Sequence, residues 1–418
     1  MGILKSVTPD GRQMILNVRR ESIVMMEDSV LSYTFDRAGR LVGAFLENKN
    51  YRRSLDNQIL EKASGAQPGL AGRLRRMLPP REVEALENRA YAFARDVPAR
   101  LREPLPVEFA EALARIHAYS YARLEREREQ FHKLYRPVSI LPPDQYLALY
   151  LQATEGCSYN ECTFCGLYRD RRFHAKTAAE FRAHAQNVRA FFGDGITLRR
   201  TLFLGDANAL ILPQAQLLEL FDVIHAAFEI VPRDLAGAAR REWEDAHPIH
   251  FHGIYSFIDA FTTRRKTAQD FAALAERGLR RVYIGLESGD PALLKFLGKP
   301  NQPEDVQSLV VHLKTGGVAV GIIILIGAGG AEYHAGHVRE TVRLVNALPL
   351  DQEDVIYFSE LVDYPGSTYA ARASAAGIRA LSPAELRQQE QQMRDGFVFA
   401  DKARAPKISY YDLREFVY

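Results

Sequence analysis

The chain has 418 residues, is 47% hydrophobic and 25% charged, and balances 54 basic against 52 acidic side chains for a formal net charge of +2. That length allows two or three domains, or one large core with extensions, folding without disulfides. The charge balance gives no reason to expect nucleic acid or an anionic membrane as the main partner.

The start, MGILKSVTPD, lacks a long apolar region, so a reducing cytoplasm is the expected compartment. MGILKS matches the myristoylation pattern, which is short enough to be accidental. Residues 1–140 form an N-terminal extension of mixed character. RQMILNV and SIVMM are β-rich, and LSYTFDRAGRLVGAFLE reads as a hairpin turning at Asp36 to Gly39. From about Tyr51 the pattern turns helical and basic, broken by GLAGRLRRMLPP. Phe109, Leu113, Ile116, Ser120 and Leu124 then fall on one face of a long helical pattern over 105–134. The charged run Arg123 to Glu129 reads as a solvated face.

Residues 141–375 alternate short apolar strands with amphipathic helices. The strands are YLALYLQ, RTLFLGD, HFHGIYSFI, RRVYIGLES, VAVGIIILIG and DVIYFSEL. The run Val318 to Gly330 is too short to span a bilayer and reads as a buried strand. Six such repeats imply an α/β fold, a partial (β/α)6 barrel with a parallel sheet and its chemistry at the C-terminal strand ends. Residues 376–418 add a helix, PAELRQQEQQMRD, and a tyrosine-rich tail.

All three cysteines, Cys157, Cys162 and Cys165, fall in the loop after the first of these strands. Three soft thiolates in one polar loop suit a thiophilic metal centre. A structural zinc needs a fourth ligand, for which His174 is nearest. An iron–sulfur cubane held by three thiolates leaves one iron open. Three ordinary buried thiols are the bland alternative.

The loop GCSYNECTFCG resembles the cluster loop of radical S-adenosylmethionine (radical SAM) enzymes, in a subgroup spaced Cys-x4-Cys-x2-Cys. Cys162, Thr163, Phe164 and Cys165 carry its Cys-x-aromatic-Cys ending. RTLFLGDANAL resembles the second-strand motif through Gly205, Asp206 and Asn208. Ala207 holds the usual glutamate place, leaving Asp206 first and Asn208 second for the methionyl amine. Glu287 and Ser288 in RRVYIGLESGD match the polar pair that reaches ribose and methionyl groups, and Ile326 and Gly327 match the strand end beside the adenine. ELVDYPGSTY is similar to the subgroup's sixth-strand end. The resemblance covers about residues 142 to 375.

It implies a radical SAM enzyme with a [4Fe-4S] cluster on the three cysteines and SAM on the open iron. A flavodoxin or ferredoxin would reduce it, and the 5′-deoxyadenosyl radical would abstract hydrogen from a small-molecule or peptide substrate. An iron–sulfur electron carrier or sensor without SAM cleavage, and a zinc-stabilised binding module, are the alternatives. No catalytic residue for the substrate step is assigned.

GAGGAEYHAG fails the dinucleotide fingerprint, with Glu332 at the third glycine place, and reads as a tight turn near the adenosine. His250 and His252 share one strand face, followed by Tyr255 and Ser256; packing and ligand contact are both open. Tyr168, Arg169 and Arg172 follow the cluster loop and suit a carboxylate, a ring or water. No cobalamin-binding pattern appears, and no cysteines remain for a second cluster.

Overall fold

A computed structural model describes residues 2–64, 73–362 and 366–418. Met1 of the MGILKS start, the GLAG before Arg73, and Asp363, Tyr364 and Pro365 of ELVDYPGSTY lie outside them.

The N-terminal extension is an eight-stranded antiparallel meander in sequence order. Its strands are β1 (Gly2–Val7), β2 (Gln13–Val18), β3 (Ser22–Glu27), β4 (Leu31–Asp36), β5 (Leu41–Leu46), β6 (Lys49–Arg53), β7 (Ile59–Ser64) and β8 (Arg73–Met77). The hairpin of β4 and β5 turns where the sequence places it. Gly39 there has φ +105°, and an added Cβ would meet the Arg115 carbonyl oxygen, so only glycine fits.

The helical reading from Tyr51 is corrected: β6, β7 and β8 continue the sheet. Their charged residues pair across strands near an edge, Lys49 and Arg76 each with Glu61. Three helices follow, α1 (Pro80–Arg100), α2 (Val107–His117) and α3 (Tyr121–Leu134). The single helix expected over 105–134 is two. Ser120 is not part of an apolar stripe but the N-cap of α3, its hydroxyl accepting from the Arg123 N–H. Phe109, Leu113, Ile116 and Leu124 are buried as the spacing implies, in a core shared with Leu16, Met25 and Phe35 of the sheet.

The second body is a parallel sheet whose first six strands are those read from the sequence. They are β9 (Leu149–Gln152), β12 (Leu202–Gly205), β13 (Ile254–Ile258), β14 (Leu279–Glu287), β15 (Ala319–Ile326) and β16 (Val355–Glu360). Two-residue strands β10 (Thr154–Glu155) and β11 (His174–Ala175) pair antiparallel and clasp the ends of the cysteine loop. Helices α4 (Ala178–Phe192), α5 (Gln214–Ala227), α6 (Gly237–Ala246), α7 (Ala268–Glu276), α8 (Pro291–Phe296), α9 (Pro303–Thr315), α10 (Gly330–Ala347) and α11 (Tyr369–Ala375) connect them. The strands are apolar along both faces because helices cover one and the barrel interior the other.

The tail departs from the helical expectation. After α12 (Pro383–Gly396) it adds a seventh parallel strand, β17 (Lys407–Tyr410), beside β16. The chain then runs back to β9. The Tyr418 hydroxyl donates to the Ala148 carbonyl at 3.2 Å and accepts from the Tyr150 N–H at 2.8 Å. The C-terminus therefore packs against the opposite edge strand of the open barrel. The meander holds it there: Lys62 pairs with Glu415 at 3.2 Å, and Arg75 pairs with Asp412 and Glu415.

Arginines dock the meander on the second body. Arg40 donates to the Phe191 and Phe192 carbonyls, and Arg20 to those of Glu244, His247 and Pro248, so each meets carbonyls at a helix C-terminus. Arg40 is itself held by Asp36 and Glu127, all but excluded from water.

Candidate active site

A cavity of about 210 Å³ opens at the C-terminal ends of the parallel strands. Cys157, Cys162 and Cys165 line it, as do Phe164, Asn208 and Glu287. The rest of its wall is mostly apolar or aromatic, with Phe257, Tyr283 and Ile323 from successive strands, Leu361 just past β16 and Tyr411 from the tail.

Short local bonds shape the cysteine loop. Gly156 opens it at φ +79°, and Asn160 turns it at φ +53°, a conformation asparagine tolerates. The Asn160 N–H donates to the Cys157 sulfur at 3.3 Å, and its amide donates to the Tyr168 carbonyl at 3.0 Å. Arg169 donates to the carbonyls of both Cys162 and Cys165. Thr163 fastens the loop to its neighbours: its N–H donates to the Leu297 carbonyl at 2.9 Å, and its carbonyl accepts from the Thr368 N–H at 2.8 Å. Burial pushes the Cys162 thiol up to about 12 and the Cys165 thiol up as well, so neither is a stable free thiolate; a bound cation would reverse that.

Asp206 does not face the cavity. It is fully buried and its carboxylate accepts from the Tyr150 hydroxyl at 2.6 Å, the Gln152 amide at 3.1 Å and the Gly156 N–H at 2.9 Å, with Arg171 at 3.4 Å. It ties the sheet to the root of the cysteine loop and has no capacity left for a ligand amine. The first choice for that contact is corrected accordingly. Asn208 reaches the cavity. Its amide N–H groups donate to Asp259 and Thr262 at 2.5 and 2.9 Å, while its Oδ1 is buried without a partner among the described residues.

Glu287 also lines the cavity, at φ +58°, and accepts from Lys299 Nζ at 2.8 Å in a buried ion pair. Ser288 points elsewhere: it bonds His337 Nδ1 at 2.8 Å and accepts from the Asp290 N–H at 3.0 Å. Gly205 is a packing position, since an added Cβ would lie 2.0 Å from the Tyr150 hydroxyl. Ile326 and Gly327 lie off the cavity wall. The Ile326 carbonyl accepts from the Leu361 N–H, and the Gly327 N–H donates to Gln389, both at 2.8 Å. Neither Ser288 nor the fifth-strand end is part of this cavity's wall.

His174, the nearest histidine for a zinc site, is half exposed and lies 3.6 Å from Glu180. A tetrahedral zinc gathers its sulfurs to about 3.8 Å from one another. Among the described residues the trio whose ligand atoms all lie within 4.8 Å is Glu244, His250 and His252, not the cysteines. Those histidines sit before β13, at the opposite end of the sheet, and Ser256 donates to the Leu204 carbonyl. Of the basic residues after the loop, Arg169 braces it, as described, and Tyr168 is buried against the cavity.

Three polar contributors escape the motif reading. Asp259 is the first polar residue after β13, a strand-end position that sequence could have flagged. Lys299 follows α8 with no signal, and Tyr411 comes from the tail.

Three thiols and a buried ion pair thus stand at the C-terminal ends of parallel strands covered by helices, where a parallel α/β fold places its chemistry. Residues 151–344 match the model of the Radical SAM superfamily. Its enzymes use a [4Fe-4S] cluster, SAM and a reductant. No curated protein matches the chain.

Among solved structures it is similar to coproporphyrinogen III oxidase from Escherichia coli, a radical SAM enzyme, at 16% identity and TM-score 0.38 over 59% of this chain and 50% of that one. It is similar to a radical SAM methyltransferase from Kitasatospora setae, with cobalamin and a [4Fe-4S] cluster bound, at 17% identity and TM-score 0.36 over 56% of this chain and 41% of that one. Methylornithine synthase aligns at 11% identity and TM-score 0.37, over 62% of this chain and 70% of the other. The chain spans half or less of the length of the first two. No helix among the described residues is long and apolar enough to cross a membrane.

Proposed function

We propose that Cys157, Cys162 and Cys165 hold a [4Fe-4S] cluster with SAM on its open iron, in a cytoplasmic enzyme reduced by a flavodoxin or ferredoxin. When bound and reduced, that pair supplies methionine and a 5′-deoxyadenosyl radical, which abstracts hydrogen from a small-molecule or peptide substrate. The observation that carries this reading is that the three thiols and Asn208, whose buried Oδ1 has no partner among the described residues, belong to the wall of one cavity.

The remaining residues suit their parts. Asn208 Oδ1 accepts from the methionyl ammonium, and Asp259 fixes the amide so that this oxygen faces inward. Glu287 accepts from ribose hydroxyls, its carboxylate held beside the cavity by the ion pair with Lys299. Phe164 lies beside the sulfurs and shields them. The apolar walls exclude water from a reactive radical.

The test is anaerobic. The protein is reconstituted with iron and sulfide, given SAM and dithionite, and assayed for 5′-deoxyadenosine by mass spectrometry. Product that requires Cys162 is expected, with Cys162→Ala inactive. A filled cluster that yields no product with any of a panel of candidate metabolites would replace the proposal with an electron carrier or sensor. Stoichiometric zinc without sulfide would replace it with a binding module.

A further inference from the structure

A second concavity, of about 560 Å³, lies at the N-terminal ends of β13, β14 and β15. Along β14 it is roughly 20 Å from the cysteine cavity, taking about 3.3 Å per residue. Arg233, Arg240, Arg280, Arg281 and Lys314 line it, against the carboxylates of Asp351 and Glu353. Three of these cations are neutralised. Lys314 pairs with Asp351 and Asp354 at 2.9 and 2.7 Å, Arg281 with Asp144 at 3.0 Å, and Arg240 with Glu244 at 2.7 Å.

Arg233 and Arg280 are held differently. Arg233 donates to the Gly317 carbonyl at 2.6 Å. Arg280 donates to the carbonyls of Val231 at 2.8 Å and His252 at 3.4 Å. Neither has an ion-pair partner within 4.0 Å among the described residues. Backbone carbonyls orient a guanidinium without cancelling its charge. Burial and then the neighbouring Arg233 push the Arg280 pKa down, and the two guanidiniums share the hollow without a carboxylate between them. Unrestrained arginines would relax apart into water; both of these are tied to the main chain.

A metal ion is the competing occupant, because Glu244, His250 and His252 lie together beside the hollow. Arg240 already occupies the Glu244 carboxylate, and the Arg20 guanidinium is 3.0 Å from His250 Nδ1. Two fixed cations at that trio oppose a third.

We propose that this concavity binds a small phosphoryl anion, with Arg233 and Arg280 as forked donors. A phosphoryl dianion matches two uncompensated guanidiniums in charge and presents oxygens to their paired N–H groups. The volume lies in the range of small-molecule sites. Val231, Leu235 and Val318 in the wall leave an apolar side for an organic substituent.

The test is calorimetric titration of inorganic pyrophosphate into the reconstituted full-length protein in about 0.1 M salt, where unpaired surface charges are largely screened. Saturable one-to-one binding is expected. Arg280→Gln should weaken it about tenfold or more, the worth of a charge-assisted hydrogen bond. Arg280 also braces two loops, so Arg233→Gln, on the exposed rim, gives a second variant that spares them and should weaken binding similarly. Absence of saturable binding up to about 10 mM, or an affinity unchanged in both variants, would overturn the proposal.

Discussion

The Gly156 N–H donates to Asp206 Oδ2 at 2.9 Å, so the residue before the first cysteine hangs from a carboxylate in the barrel wall. The other oxygen of that carboxylate accepts from Tyr150 and Gln152 on the neighbouring strand side. Asp206→Asn turns one acceptor into a donor facing donors. It should destabilise the fold by about 2–4 kcal/mol, the cost of a buried polar group left unpaired. The protein should also lose iron faster on gel filtration, while the KM for SAM of the fraction still loaded stays unchanged. A raised KM at full iron content would return Asp206 to the ligand.

Asn208 is expected to behave in the opposite way. Asn208→Ala removes the unpartnered acceptor and leaves the sulfurs untouched. The iron content should stay at the wild-type level while the KM for SAM rises about tenfold or more. Isothermal titration of SAM into the reconstituted variant checks the matching rise in Kd. The same substitution takes away the donor to Asp259, so Asp259→Asn should reproduce a part of the defect through loss of positioning.

These two residues show how far the sequence could be read. The six core strands were legible because each is an apolar run with both faces covered. The three thiols were legible because nothing else in the chain explains their crowding. Asp206 and Asn208 stand two positions apart after the same strand, and which one faces the cavity depends on how the chain leaves the sheet, which spacing does not encode. Ser288 and Ile326 matched their motifs in order, yet hydrogen bonds to His337 and Leu361 occupy them. β17 was hidden because KISY has a single aliphatic residue and gains its place only by pairing with β16. Ser120 was misread because a cap and a small apolar-face residue look alike at helical spacing.

Glu287 and Lys299 pair at 2.8 Å with less than a tenth of either residue exposed. Lys299→Met leaves the carboxylate buried alone and should cost about 3–5 kcal/mol in thermal or denaturant unfolding. The double variant Glu287→Leu with Lys299→Met should recover much of that loss, because no uncompensated charge remains, but should not bind SAM with wild-type affinity. Equal stability of the single and double variants would mean that the pair is solvated.

His184 gives the fold a pH dependence of defined sign. Its Nε2 accepts from the Gln152 N–H at 3.0 Å, and burial pushes its pKa down to about 3 from an ordinary 6.5. Between those values the unfolded chain takes up a proton that the folded chain refuses. The stability from the neutral ring is therefore whole above about pH 6.5 and falls by about 1.4 kcal/mol per unit below it. His337, pushed down to about 4 by burial, adds the same slope. His184→Gln keeps an acceptor for the Gln152 N–H and cannot titrate. Its Tm should lie below wild type near pH 7.5 and draw closer to it towards pH 5; parallel curves would place the proton uptake elsewhere.

Tyr411 offers the cleanest separation of fold from ligand. Its ring is buried in the cavity wall, and its hydroxyl has no partner among the described residues. The neighbouring Tyr283 and Tyr357 hydroxyls both donate to Asp144, at 2.5 and 2.8 Å. Tyr411→Phe removes a polar atom that the fold leaves unpaired, so the Tm should hold or rise, by up to about 1 kcal/mol of stability. Formation of 5′-deoxyadenosine without substrate should not change, since the cysteines and Asn208 are untouched. A phenol unpaired in the free protein would then act on what enters the cavity after SAM, and its loss should appear only when a substrate couples to turnover. A Tm lowered by a hydrogen bond's worth would show instead that the fold itself uses this hydroxyl.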